Sequence, residues 1–331
     1  MSTPELLAIV GATGSGKSAP ALALAERLDG EIISCDSMQI YRRMDIGTAK
    51  PTAEEQGRVR HHLIDVVEPE APFSCADYVP LAAKAVEDCL LRGKLPIVCG
   101  GTGLYLDALL RKNDFEPNTS DETVRLALTA RAEREGAHKL WQELSEIDPE
   151  SAERTHPNNV KRVIRALEIY RVSGVPKSEW DRRSREGGER YRACVIGLRY
   201  PNRQSLYDRI DRRVDRMLAD GLVEETKSLL REGVFERNLT AAQAIGYKEL
   251  LPYCLGRISL TEAAERLKMA TRRYAKRQMT WFGAKEYVRW IDTTAEPAEN
   301  GQAASETQKT FEEIVNIATE LFQNASNYDK I

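Results

Sequence analysis

The chain has 331 residues, of which 42% are hydrophobic and 30% charged, with a formal net charge of -3. This length exceeds that of a usual single domain, so a large core with an insertion or a second domain is expected. No apolar run approaches a bilayer span, and Met1 to Ala8 lack the basic start and long apolar stretch of a secretory signal, which excludes a membrane-spanning or exported chain and points to the cytoplasm.

The first hundred residues alternate short apolar runs with helical patterns, the signature of a parallel sheet covered by helices. Strands are expected over 6–10, 31–35, 62–67 and 95–99, with helices over 17–28 and 77–92. Between the first strand and the first helix lies Gly11-Ala12-Thr13-Gly14-Ser15-Gly16-Lys17-Ser18, which fits the Gly-x4-Gly-Lys-Ser/Thr phosphate loop in the setting that the motif requires. Glycines let successive N–H groups turn toward phosphate oxygens, and the helix start adds its positive end. Lys17 supplies a charge for the terminal phosphates, and Ser18 is the expected ligand of a Mg²⁺ ion that bridges them. This fold class is α/β, with a P-loop NTPase-like parallel sheet.

After Asn113 the pattern turns polar, then helical and charged, so an all-helical insertion is expected over 114–192, with helices near 121–147 and 158–172 and a polar segment at 182–190. The core, residues 1–113, would resume over 193–292. It would hold a strand at 194–200, helices near 202–232, 241–255 and 259–283, and a last strand at 287–291. Ser259 and Glu262 have capping-box spacing. Residues 293–331 read as a linker followed by a helix at 306–324.

Six cysteines form no Cys-x-x-Cys pair and no zinc-like grouping with the four histidines, so they read as reduced thiols, and His61-His62 reads as structural. Charge is uneven. Lys and Arg outnumber Asp and Glu eleven to five from Lys161 to Arg199, and eight to one from Arg266 to Arg289. Either segment alone would read as a solvated helix face, but the pair in an acidic chain suggests a nucleic-acid surface.

A phosphate loop alone leaves kinase, ATPase and transferase open, and the other strand ends must decide. These ends carry Ser34-Cys-Asp36-Ser37-Met38-Gln39-Ile-Tyr41 and Gly100-Gly101-Thr102-Gly103-Leu104-Tyr105. With Gly47-Thr-Ala-Lys-Pro51, Arg162-x-x-Arg165-Ala-Leu-Glu168, Arg209-Ile-x-x-Arg213, Ala244-Ile-Gly-Tyr247-Lys-Glu249 and Lys276-Arg277-Gln278-x-Thr280-Trp-Phe282, the chain resembles the tRNA dimethylallyltransferases over most of its length.

The resemblance implies transfer of a dimethylallyl group from dimethylallyl diphosphate to N6 of the adenine at tRNA position 37, 3′-adjacent to the anticodon, releasing diphosphate. It gives Asp36 the role of base, Arg213 that of a clamp on the diphosphate beside the loop, and Thr102 a substrate contact. It also implies that Asp36, Ser37, Met38, Gln39, Thr102, Lys161, Arg162, Val163, Ile164, Arg165, Arg273, Lys276, Arg277 and Gln278 meet the anticodon stem-loop. No Cys or His follows Trp290, so the zinc finger of the eukaryotic relatives is not expected; the compact bacterial type is, acting as a monomer. Three rivals stay open: an adenylate isopentenyltransferase taking free AMP or ATP, a P-loop kinase with Asp36 on its metal, and a non-catalytic nucleic-acid-binding module.

Overall fold

The computed structural model describes residues 5–112, 121–186, 188–293, 312–317 and 320. The chain divides into two compact units, Met1–Leu110 with Tyr191–Ile331, and Arg111–Arg190.

The larger unit is built on a six-stranded sheet of β1 (Leu6–Gly11), β2 (Gly30–Cys35), β3 (His61–His62), β4 (Leu95–Gly100), β5 (Ala193–Arg199) and β6 (Val288–Asp292), in the order β3-β2-β4-β1-β5-β6. All five pairings are parallel. Parallel strands need crossovers, and these put helices on the faces, so the strands are apolar throughout rather than alternating. Every residue of β1 is buried, for example. Leu7, Ile9, Ile97, Ile196 and Ile291 pack with Leu24 of the helix Ser18–Arg27, and Ile314 and Val315 close the same core. The register pairs Val10 with Gly100, Cys35 with Gly100 and Gly11 with Leu198. The loops after β1, β2 and β4 therefore open side by side at one end of the sheet, where such folds bind ligands.

Several expected elements are shorter than their apolar patterns. The strand expected at 62–67 stops at His62, because Leu63 and Asp65 take left-handed φ values of 62° and 55°. Only an isolated bridge from Tyr41 to Val67 survives beyond it. The helix expected over 202–232 breaks at Gly221 into Arg203–Ala219 and Leu222–Arg231. Residues 241–255 split into Leu239–Ala242 and Tyr247–Cys254. At Ser259 the hydroxyl caps the Glu262 N–H at 3.1 Å, but Glu262 turns its carboxylate to Arg266 at 2.6 Å, so the reciprocal half of the box is missing. Of the expected C-terminal helix, 312–317 is helical. The linker over 294–305 lies outside the described residues.

The smaller unit is helical. Its expected first helix is broken at Gly136 into Glu122–Glu135 and Ala137–Ile147, and residues 182–186 of the polar segment belong to the helix Lys177–Glu186. Leu128, Leu140, Leu144, Val163 and Leu167 form its core. Glu168 is fully buried there, ion-paired with Arg125 at 2.9 Å and Arg165 at 3.0 Å. Among the described residues no helix is long and apolar enough to cross a membrane.

Candidate active site

β1 runs directly into the phosphate loop, and Ser18–Arg27 begins at the loop's last residue. Gly14 and Gly16 have φ of 80° and 83°, a left-handed conformation that side-chain-bearing residues rarely adopt, so the loop curls back on itself. Ser15 donates its N–H to Ala12 O at 3.1 Å, and its buried hydroxyl has no hydrogen-bond partner among the described residues. The loop is braced from two sides. Arg209 Nε donates to Gly14 O at 3.1 Å, and the Thr13 N–H is donated to Gln278 Oε1 at 2.8 Å.

Lys17 and Arg213 lie in one electrostatic neighbourhood with Asp36. Desolvation holds the Lys17 ammonium below its ordinary pKa, and Arg213 pushes it the same way, while Cys99, Asp36 and Cys35 oppose. Burial likewise lowers Arg213, again with Asp36 opposing. Two half-buried cations thus lie within the field of one carboxylate, an arrangement that favours an arriving anion.

Asp36 caps the turn after β2. Its Oδ1 accepts the Met38 N–H at 2.8 Å and the Gln39 N–H at 3.4 Å, while among the described residues Oδ2 takes no hydrogen bond. Thr102 joins this turn to the one after β4, donating its N–H to Cys35 O at 3.1 Å and accepting the Ser37 N–H on Oγ1 at 3.2 Å. Burial followed by the Asp36 charge pushes the Tyr274 phenol up to about 12. Tyr274 lies between Arg273 and Lys276 in the second basic segment.

The structure brings Gly11 to Ser18, Asp36, Ser37, Met38, Thr102 and Arg213 to one end of the sheet, and five of the side chains expected to meet tRNA are engaged within the chain itself. Gln39 spends its amide on its own chain, accepting from Ser34 Oγ at 2.9 Å and donating to Thr48 O and Ala49 O at 3.3 and 3.1 Å. Gln278 is buried, and its Nε2 donates to Gly101 O at 2.9 Å, so this side chain ties the phosphate loop to the turn before Thr102. Val163 and Ile164 are buried within the helical unit, because helical spacing alternates them with the exposed Lys161 and Arg162. Arg165 is held by Glu168.

Along the helix Leu260–Gly283, by contrast, Arg273, Lys276, Arg277 and Thr280 are all exposed or half-buried on one side, as their spacing predicts. Its opposite side carries the buried Thr271, Ala275, Gln278 and Phe282. Arg277 lies over the Tyr274 ring at 5.5 Å. Arg272 is committed elsewhere, to Asp211 at 2.6 Å.

Beside the loop opens a cavity of about 820 Å³, lined by Gly14, Gly16, Arg209, Arg212, Arg213 and Arg216 on one side and by residues of the 45–56 segment on the other. That segment is held by Glu225, whose carboxylate accepts the N–H groups of Asp45, Ile46 and Gly47 at 2.9, 2.9 and 3.0 Å and the Tyr247 hydroxyl at 2.7 Å.

Replacing Gln278 by Leu removes both ends of the loop brace and leaves the Thr13 N–H and Gly101 C=O unpaired. A loss of about 2–4 kcal/mol in urea unfolding is expected, from roughly 1–3 kcal/mol per orphaned group; a midpoint within error of the parent would show that the brace carries no stability.

The chain matches the IPP transferase family model over residues 39–285. It is 50% identical over 295 residues to the tRNA dimethylallyltransferase of Geobacillus thermodenitrificans, covering 88% of this chain and 91% of the relative. Identity to the tRNA dimethylallyltransferase 1 of Pelobacter propionicus is 48% over 289 residues, covering 87% and 93%. A crystal structure of tRNA isopentenylpyrophosphate transferase from Bacillus halodurans superposes with a TM-score of 0.71 at 43% identity, over 98% of this chain and 99% of that one. A eukaryotic dimethylallyltransferase acting on tRNA superposes with a TM-score of 0.73 at 27% identity, over 97% and 84%. With its parallel sheet, its phosphate loop and these relatives, the chain belongs to the IPP transferase family.

Proposed function

We propose that this chain transfers a dimethylallyl group from dimethylallyl diphosphate to N6 of the adenine at tRNA position 37, next to the anticodon on its 3′ side, and releases diphosphate. The observation that carries this reading is the convergence, at one end of the sheet, of a glycine phosphate loop with Lys17 and Arg213 beside it and of a turn that presents the Asp36 carboxylate. The cations match a diphosphate that gains charge as it leaves, and the carboxylate matches an amine that must lose a proton.

In this reaction the bond between the allylic carbon and the diphosphate oxygen breaks with its electron pair going to diphosphate, while N6 forms the new bond to that carbon. Asp36 Oδ2 takes the N6 proton, with Oδ1 fixed by the Met38 N–H. The loop N–H groups, Lys17 and Arg213 hold the leaving group. The buried Ser15 hydroxyl, without a partner among the described residues, fits a ligand rich in acceptor oxygens at this glycine loop, and the exposed Ser18 hydroxyl at the helix start is a hard oxygen donor suited to Mg²⁺. Mg²⁺, when bound there with diphosphate oxygens, supplies further charge neutralisation.

An adenine in a stacked anticodon loop must be extruded to reach such a crevice. The outer face of Arg273, Lys276 and Arg277 serves the tRNA backbone, Tyr274 and Thr102 meet the extruded base, and Lys161 and Arg162 give the helical unit a basic surface of its own. Incubation with undermodified tRNA, dimethylallyl diphosphate and Mg²⁺ is expected to release diphosphate and to prenylate one adenine. Release independent of tRNA, or AMP outcompeting tRNA as acceptor, would overturn the reading.

Replacing Lys276 and Arg277 together by Ala is expected to weaken tRNA binding at all sequences alike and to lower the slope of log K against log salt by about 1 for each phosphate that is no longer neutralised. Binding titrations at several salt concentrations measure it, and an unaltered slope removes both residues from the interface.

A further inference from the structure

At the end of β2 remote from Asp36, a second cluster of chemically active side chains takes no part in prenyl transfer. Glu31 of β2, His62 of β3 and Cys89 of the helix Cys75–Leu91 converge there, about 16 Å from Asp36 at roughly 3.3 Å per strand residue. Cys89 is fully buried, and the side chains of Glu31 and His62 are only 9% and 12% exposed. Because three separate elements supply the three residues, no sequence spacing announces the group.

The separations are those of a coordination sphere. Cys89 Sγ lies 3.5 Å from Glu31 Oε2 and 3.7 Å from His62 Nε2, and His62 Nε2 lies 2.7 Å from Glu31 Oε2. A tetrahedral ion with bonds of about 2.3 Å to sulfur and about 2.0–2.1 Å to nitrogen and oxygen sets sulfur roughly 3.5 Å from either neighbour and nitrogen roughly 3.3 Å from oxygen. Both sulfur separations already fit. The third widens by about 0.6 Å when an ion replaces the proton shared by His62 and Glu31.

We propose that Glu31, His62 and Cys89 form a binding site for a divalent ion of the zinc class, with water in the fourth position. Sulfur, imidazole and carboxylate are the donor set that such ions take, whereas Mg²⁺ prefers oxygen alone. On binding, the Cys89 thiol loses its proton to solvent and Sγ donates to the metal; no oxidation is involved. Charge balances locally, since the thiolate and Glu31 offset the dication while Asp88 offsets Arg92, which it meets at 2.7 Å.

Arg92 is the competitor. It holds both Glu31 oxygens, at 2.5 and 2.7 Å, and reaches Cys89 Sγ at 3.9 Å. A metal on Oε2 leaves Arg92 its bond to Oε1 and its pair with Asp88, so the guanidinium shifts without losing its partners. It also sets the affinity, because a cation at the ligand oxygens repels the ion.

The test is titration of the full chain, reduced and saturated with Mg²⁺, with Co²⁺. One equivalent is expected to bind with a near-ultraviolet thiolate-to-cobalt charge-transfer band that Zn²⁺ displaces. Cys89→Ser should abolish the band, and Arg92→Gln should tighten binding by about tenfold or more, in the range seen for groups around metal ligands. If Cys89→Ser does not fold, His62→Gln is read in its place. No band in the parent, a band that survives removal of Cys89 or His62, or an affinity unmoved in Arg92→Gln would each overturn the proposal.

Discussion

Asp36→Asn is expected to leave tRNA binding intact and to slow the chemical step by about 10²- to 10⁴-fold, the usual contribution of a positioned base. The substitution is a clean one here. An Asn amide oxygen still accepts the Met38 N–H that Asp36 Oδ1 accepts at 2.8 Å, so the turn after β2 keeps its shape. What disappears is the basic Oδ2 and the negative charge that opposes the lowering of Lys17 and Arg213. With that charge gone, the two cations attract diphosphate more strongly, so the donor KM should stay level or fall while turnover collapses. Single-turnover kinetics at saturating tRNA separate the two effects. A donor KM that rises in step with the loss of rate would instead assign Asp36 to metal binding, and an unchanged rate would remove it as the base.

The second large effect is expected at Glu225, far from the reacting atoms. Glu225→Ala strips the acceptor from the N–H groups of Asp45, Ile46 and Gly47 and from the hydroxyl of the fully buried Tyr247. Even with some of these groups rehydrated, a stability loss of about 3 kcal/mol or more follows from several unpaired groups at roughly 1–3 kcal/mol each. The loop cannot settle elsewhere, because Gly47 packs on the Tyr247 ring so closely that a Cβ there would sit 2.5 Å from Cζ. Lys50, which bonds Tyr41 O and Asp65 at 2.5 Å each and Asp45 at 2.6 Å, loses part of its setting as well. Since Asp45, Ile46 and Lys50 line the cavity beside the phosphate loop, donor KM should rise several-fold. Tyr247→Phe, which removes one bond only, should cost about 1 kcal/mol. Thermal melts of the two variants give the comparison, and a Glu225→Ala melting curve that coincides with that of the parent would refute the clamp.

The phosphate loop was legible because its chemistry is local: strand, glycines, Lys17 and Ser18 are consecutive. The Asp36 and Thr102 turns were legible as strand ends. The inward turn of Gln278 was not legible, since its partner Thr13 stands 265 residues away and a basic neighbourhood says nothing of which side chain turns inward. The burial of Val163 and Ile164 went unread for the complementary reason: a charged segment was taken as one surface where helical periodicity divides it into an exposed and a buried side. At 62–67 the apolar pattern was real, but the backbone at Leu63 and Asp65 leaves the strand conformation. Glu225 had no local signal at all, since its three N–H partners lie about 180 residues earlier.

The Gln278 amide ties one helix to two loops of the site. Its outer face presents Arg273, Lys276 and Arg277, and one turn of its inner face grips Thr13 in the donor loop and Gly101 before Thr102 on the acceptor side. A rigid rod pinned at both loops cannot tilt toward a polyanion without carrying them along. On the proposed function the helix is a lever that joins the tRNA-facing side to the loop that cradles the donor.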